Sequence, residues 1–172
     1  MHEMGLSLTA QMAVHILAMN VAAPALILFL HNKGILPRRR LTGLTLAAVV
    51  QIAAIWVAHA PGVIAHATIA GMLLLHIALF AIALWFWQEV LAADGDRRWR
   101  AALALLMTAK IFCLLGALMV FAPHAFMAAV EHQQAAGLLM LVACPITYLL
   151  AAGVITRRWL LDIEARPAQP TT

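Results

Sequence analysis

The chain has 172 residues, of which 65% are hydrophobic and only 10% are charged, and its formal net charge is +4. A water-soluble domain of this size carries far more charge on its surface, so the composition excludes an ordinary soluble protein. Apolar runs of about 20 residues recur, and each is long enough to cross a bilayer core. Backbone groups in lipid must be bonded within the chain, and barrel-type alternation is absent from the sequence, so the runs predict helices.

The runs predict an all-α, polytopic membrane bundle of about five transmembrane helices. The predicted spans cover residues 6–30, 41–58, 65–91, 101–121 and 133–155. Together they form a single transmembrane helical domain, residues 1–160, followed by a short cytoplasmic tail, residues 161–172, that we expect to be disordered. The first run is too long for a signal peptide and no basic segment precedes it, so we expect no cleavage.

Lysine and arginine predict the orientation, because they concentrate in cytoplasmic loops. Outside the predicted spans they all fall on one side: Lys33, Arg38, Arg39, Arg40, Arg97, Arg98, Arg100, Arg157, Arg158 and Arg166. We therefore expect the N-terminus outside and the C-terminus in the cytoplasm. The basic residues lie in short loops, which indicates topology and not nucleic-acid binding. Four tryptophans near the same side are interpreted as an aromatic belt: Trp85, Trp87, Trp99 and Trp159.

Histidine and methionine concentrate towards the predicted outer side. His15 and His76 lie within the first and third spans, and His59 directly follows the second. Met12 precedes His15 by three residues and Met72 precedes His76 by four, so each pair shares a helix face. Imidazole with thioether favours copper, as Cu(I), among the common metals. We predict a metal site at His15, His59 and His76, with these candidate auxiliary ligands: Met12, His66, Met72 and His132.

Each of these residues also has a structural interpretation. A histidine in a membrane helix often only bonds to a neighbouring helix, and methionine is a common packing residue. The metal hypothesis therefore depends on the joint placement of His15, His59 and His76. Asn20 and Gln51 are predicted to form hydrogen bonds between helices. The two cysteines, both within apolar runs, are expected to pack without a disulfide.

Several segments resemble the caa(3)-type CtaG family, membrane proteins needed for assembling cytochrome c oxidase. Residues 11–15 (QMAVH) and 21–24 (VAAP) are similar to that family's H-x-x-Q-H and A-P-P, and residues 59–61 (HAP) to its W-H-L-P. Residues 75–77 (LHI) and 84–87 (LWFW) are similar to its E-H and L-F-W-W. Residues 115–118 (LGAL), 121–123 (FAP) and 133–140 (QQAAGLLM) are similar to its L-L-G-A-L, F-A-P and D-Q-Q-x-A-G-L-x-M. In this resemblance His15, His59 and His76 match the family's histidines. Gln11 stands where the first motif has another histidine, and His132 replaces an acid.

The resemblance implies a cytochrome c oxidase assembly factor that binds or delivers copper at the periplasmic side of the bacterial inner membrane. Its implied partners are oxidase subunits or other copper carriers, besides the lipid bilayer itself. The departures predict a metal site that is either rebuilt around His132 or lost.

Two other functions stay open. The first is a b-type haem electron carrier with His15 and His76 as axial ligands. The second is a non-catalytic structural subunit of a respiratory complex. The sequence contains no paired-carboxylate site, serine nucleophile motif or phosphate loop, so we do not expect an enzyme.

Overall fold

The computed structural model describes residues 8–36, 43–60, 63, 68–122 and 130–165. All regular structure within these ranges is helical, as predicted. In chain order the elements are α1 (Leu8–Leu17), a π-helix (Ala18–Ala22), α2 (Ala23–Asn32), α3 (Leu44–Ala58), α4 (Ile69–Leu91), a 3-10 turn (Gly95–Arg97), α5 (Arg98–Phe121) and α6 (Val130–Glu164).

Four helical stretches are long and apolar enough to cross a membrane: Thr9–Asn32, Ala70–Leu91, Gly95–Phe121 and Val130–Glu164. The first of them joins α1, the π-helix and α2. α3 is also apolar but has only 15 residues. That length corresponds to about 22 Å at 1.5 Å per residue, against a bilayer core of about 30 Å. Large apolar side chains cover the outside of the bundle; Leu74 and Leu150 are each 66% exposed.

Contacts between the helices define two ends of the bundle: the rings of His15, His59 and His76 meet near one end, and Arg98 pairs with Asp162 at the other. The histidine end contains the following helix ends: Leu8, Ala58, Ile69, Phe121 and Val130. The arginine end contains the others: Asn32, Leu44, Leu91, Arg98 and Glu164. Apart from Lys110, the described basic residues belong to the arginine end: Lys33, Arg97, Arg98, Arg100, Arg157 and Arg158. Arg38, Arg39, Arg40 and Arg166 lie outside the described residues.

α6 extends beyond the predicted fifth span at both ends and passes through Arg157 and Arg158 to Glu164. The added turns are held by Arg98 at the beginning of α5. Its guanidinium pairs with the Asp162 carboxylate and donates a hydrogen bond to the Arg158 carbonyl over 3.4 Å. The predicted tail therefore starts inside α6, and residues 166–172 lie outside the described ranges.

Gly116 and Gly137 allow α5 and α6 to approach closely. A Cβ atom added at Gly137 would lie 2.8 Å from the Gly116 carbonyl oxygen and 2.8 Å from the Cβ of Met119. A Cβ atom at Gly116 would lie 3.0 Å from the Gly137 carbonyl oxygen. Small residues at a crossing let membrane helices gain dispersion energy through backbone contact. This pair sets the separation of α5 and α6 beside Met119.

A buried polar contact joins α3 to α6. The Gln51 Nε2 atom donates a hydrogen bond to the Tyr148 hydroxyl over 2.7 Å, and both side chains are fully buried. The rings of Phe86, Trp87 and Phe112 lie around Tyr148, with centroid separations of 6.1, 5.5 and 5.9 Å. The interhelical hydrogen bond predicted for Gln51 is therefore confirmed.

Trp87 is only 2% exposed, so its interpretation as a belt residue at the membrane surface is wrong. Its Nε1 atom donates a hydrogen bond to the Met19 carbonyl over 2.9 Å. Met19 belongs to the π-helix, in which the amide of Ala23 bonds to the carbonyl of Ala18, five residues earlier. That wider register leaves a carbonyl without its usual amide partner. Trp87 satisfies such a carbonyl from a neighbouring helix, as an apolar interior requires.

We expect Gly137→Ala to destabilise the bundle by about 1–3 kcal/mol, the usual cost of forcing a methyl group into a filled interior. The added atom meets backbone as well as side chain, so the two helices must separate. The measurement is thermal unfolding of the purified protein in detergent. Gly153→Ala is the matched control, because a Cβ atom there meets nothing within 4 Å. Equal unfolding temperatures for the two variants would contradict the close crossing.

Candidate functional site

Three histidines from separate segments meet near the histidine end. His15 lies on α1, His59 directly follows α3, and His76 lies on α4. The ring centroid of His15 lies 6.1 Å from that of His59 and 5.7 Å from that of His76. Both contacts are edge to face, with interplanar angles of 74° and 82°. The structure thus brings together the three histidines selected from the sequence.

The rings line a cavity of about 90 Å³, which we call the histidine cavity. Its other polar or sulfur-bearing side chains are Gln11, Met12, Met72 and Met119. α1, the end of α3, α4 and α5 each contribute at least one of these residues. Because no single stretch of chain contains the donor set, the cavity exists only in the assembled bundle.

Two of the imidazoles are oriented by backbone carbonyls. The Nδ1 atom of His59 lies 2.7 Å from the carbonyl oxygen of Ile55, and the Nδ1 atom of His76 lies 2.7 Å from that of Met72. A carbonyl can only accept a hydrogen bond, so Nδ1 carries the proton in both rings. The Nε2 lone pair then remains for a ligand. Histidines that bind metals are commonly held by this kind of second hydrogen bond.

The third ring, that of His15, has one nitrogen without a hydrogen-bond partner. His15 Nε2 is buried and has no hydrogen-bond partner within the described part of the chain. A buried polar atom without a partner costs free energy, and such atoms in native proteins usually have a reason. Near it, burial lowers the pKa of the His59 imidazole, which lies just beyond α3. A neutral ring is the form that can coordinate a metal.

The spacing of the rings is compatible with a shared ion. Two imidazoles that bind one metal at about 2.0–2.1 Å have ring centres about 5 to 6.5 Å apart. The observed separations of 5.7 and 6.1 Å lie in that interval. Among the described residues, however, no three histidine, cysteine or acidic side chains already surround one point as metal ligands would. The cluster is therefore open.

The predicted auxiliary ligands divide into two groups. Met12 and Met72 line the histidine cavity. His132 does not line it; this residue is exposed near the beginning of α6, and its carbonyl accepts a hydrogen bond from the Thr9 hydroxyl at 3.5 Å. His66 lies outside the described residues. A site rebuilt around His132 does not match this arrangement.

Met119 was not among the predicted ligands, although it lies in the cavity wall. A methionine near the end of an apolar helix resembles a packing residue. Its position is secured by Gln133, whose Nε2 atom donates to the carbonyls of Met119 and Ala122 over 2.8 and 2.9 Å. These carbonyls end α5, where helical amide partners run out. The sequence signal for this contact was the adjacent pair Gln133 and Gln134, because two neighbouring amides can both bind the end of α5. Gln134 likewise donates a hydrogen bond to the Val120 carbonyl over 3.3 Å.

We expect His59 and His76 to be held in the tautomer with a proton on Nδ1 and none on Nε2. The physical reason is the carbonyl oxygen 2.7 Å from each Nδ1 atom. Nitrogen NMR of protein labelled with ¹⁵N-histidine measures this directly. His59→Gln and His76→Gln assign the two signals, and His132→Gln removes an exposed reference ring. Protonated Nε2 atoms in neutral His59 and His76 would show that the carbonyl bonds do not form.

Comparison of the chain with protein-family models, with curated proteins and with solved structures gives no match.

Proposed function

We propose that this chain handles copper in a membrane: the histidine cavity binds Cu(I) as cargo and releases it for the assembly of a cytochrome c oxidase. One observation carries the proposal, namely the meeting of imidazoles and thioethers from separate helices around one small cavity. Nitrogen from imidazole and sulfur from thioether form a donor set that suits Cu(I). The role in oxidase assembly rests on the resemblance to the caa(3)-type CtaG family.

The apolar surroundings of the histidine cavity favour a monovalent ion, and hence Cu(I). Transfer of an ion into apolar surroundings is costly, and the cost rises steeply with charge. The lining of the histidine cavity, as far as the structure describes it, contains no carboxylate that could neutralise a divalent ion. Neutral imidazoles and thioethers are therefore better matched to Cu(I) than to Zn²⁺.

Release is as necessary to a carrier as binding. His15, His59 and His76 supply the stronger donors, and the thioethers of Met12, Met72 and Met119 supply weaker ones. Because the donors belong to separate segments, one can leave while another holds the ion. Ligand exchange can then proceed one bond at a time, without unfolding of the bundle.

We also propose five membrane crossings, with the N-terminus outside and the C-terminus in the cytoplasm of a bacterial cell. The supporting observation is that the described basic residues, apart from Lys110, belong to the arginine end. The histidine end then faces the periplasm, where oxidase subunits or other copper carriers would exchange the ion. α3, despite its 15 residues, would supply the second crossing.

The dimensions of the cavity disfavour the haem alternative. His15 and His76 are close enough to share one iron, but a porphyrin would have to lie between their rings. A site for a ligand of that size has a volume of about 300 Å³ or more, whereas the histidine cavity measures about 90 Å³. An absorption spectrum of the purified protein with a Soret band would reverse this conclusion.

We expect His59→Ala and His76→Ala each to weaken Cu(I) binding by about 10- to 100-fold or more, the range seen even for residues that only support a ligand. The measurement is competition with a chromophoric Cu(I) chelator under reducing conditions, with purified protein in detergent. His132→Ala is the matched control and should bind as the parent does, because His132 is exposed and does not line the cavity.

Absence of Cu(I) binding by the parent protein would defeat the copper proposal. Co-purification with oxidase subunits in the absence of such binding would instead favour a structural subunit of a respiratory complex.

The proposed orientation predicts opposite labelling of the two ends. With Cys113 and Cys144 replaced by alanine, Thr68→Cys at the histidine end should react with a membrane-impermeant maleimide in intact cells. Glu164→Cys at the arginine end should react only after the cells are permeabilised. Both positions are exposed. The opposite pattern would invert the topology and place the histidine cavity on the cytoplasmic side.

A further inference from the structure

A second and smaller cavity adjoins the histidine cavity, further along the first membrane segment. Its volume is about 10 Å³. That is about the space of one water-sized sphere, so a single small ion fits and a larger ligand does not. Its wall includes Met12, His15, Met19, Asn20, Met140 and Cys144, and we call it the sulfur cavity. Met12 and His15 line both cavities.

Sulfur atoms are concentrated in this wall. It contains three of the chain's nine methionines and one of its two cysteines. Met12, Met19, Met140 and Cys144 are at most 5% exposed. They reach the cavity from α1, the π-helix and α6. Thioether and thiolate sulfur are soft donors that suit Cu(I).

Two polar side chains lie in the same wall. Asn20 is only 4% exposed, and its amide interacts with the Cys144 thiol of α6. His15 Nε2 has no hydrogen-bond partner within the described ranges. An unsatisfied polar group in an apolar interior is costly, and an apolar side chain would fill this space at lower cost. Packing alone therefore does not account for His15.

The π-helix explains how Met19 and Asn20 reach the interior. An extra residue per turn shifts the side chains that follow it around the helix, and such π segments are frequent at functional sites. Both residues belong to the π-helix Ala18–Ala22, and both are buried. Trp87 holds this segment through the Met19 carbonyl.

Resting on the proposed copper function, we propose that the sulfur cavity is a second Cu(I) site beside the histidine cavity. Its ligands are the sulfur atoms of Met19, Met140 and Cys144, while the one unprotonated nitrogen of the His15 imidazole serves the histidine cavity. When Cys144 coordinates, the S–H bond gives way to a copper–sulfur bond and the proton passes to bulk water. The resulting copper–thiolate unit has no net charge, which reduces the cost of holding the ion in an apolar interior. The Asn20 amide can then donate a hydrogen bond to the sulfur.

The test counts Cu(I) ions per chain in anaerobic, reducing solution, using Cu(I) buffered by a chromophoric chelator and the full chain in detergent. The parent should bind two ions. Met19→Leu/Met140→Leu should lose one, and His59→Ala/His76→Ala should lose the other. His15→Ala should keep the ion of the sulfur cavity, because His15 is a ligand of the histidine cavity only. Met107→Leu is the matched control and should still bind two, since Met107 is exposed on α5.

X-ray absorption of the His59→Ala/His76→Ala protein provides a second measurement that does not depend on the leucine variants folding. Its remaining copper should show sulfur neighbours at about 2.3 Å. A parent that binds one ion, lost on His59→Ala/His76→Ala and kept in Met19→Leu/Met140→Leu, would overturn the sulfur cavity but support the histidine cavity. A parent that binds one ion, lost in Met19→Leu/Met140→Leu and kept in His59→Ala/His76→Ala, would support the site in the sulfur cavity and overturn the site in the histidine cavity. No bound copper at all would overturn both.

Discussion

The structure depends on one constraint: a polar group inside an apolar bundle has no water to bind, so it must find its hydrogen-bond partner within the protein. Gln51 meets this requirement with Tyr148, Trp87 with the Met19 carbonyl, and Gln133 with the carbonyls that end α5. Each bond fixes the register of two segments at once. Among the described residues, several buried side-chain atoms lack a partner, and His15 Nε2 is one of them. His15 lines both cavities, in which a ligand could satisfy it.

The three imidazoles of the histidine cavity are held to different degrees. His59 and His76 are each held by a carbonyl bond at Nδ1, whereas the third imidazole has an unpartnered Nε2 atom and lies between two cavities. A ligand that is less constrained than its neighbours can change partners without disturbing them. This asymmetry among the imidazoles suits the proposed carrier, which must exchange its cargo.

Residues 133–140 (QQAAGLLM), the most distinctive part of the family resemblance, have a structural explanation in this chain. Gln133 and Gln134 bind the carbonyls at the end of α5, and Gly137 permits the close crossing with Gly116. Met140 reaches the wall of the sulfur cavity. The segment therefore holds α5 and α6 in the register that brings Met119 to the histidine cavity. Its contribution to the site is positional, apart from Met140.

Hydropathy and charge act locally along the chain, so the sequence alone predicted the apolar helices, their approximate positions and the one-sided distribution of basic residues. It also singled out His15, His59 and His76, because all three lie towards the predicted outer side. Which side chains share a cavity depends instead on the tertiary structure: Met119 joins the histidines, His132 does not, and Trp87 turns inward. The extension of α6 beyond the predicted fifth span and the presence of the π-helix also become visible only in the tertiary structure. These outcomes depend on how far one helix is shifted and rotated against the next. That shift is set by contacts such as Gly116 with Gly137, between residues distant in the chain, and local patterns do not encode it.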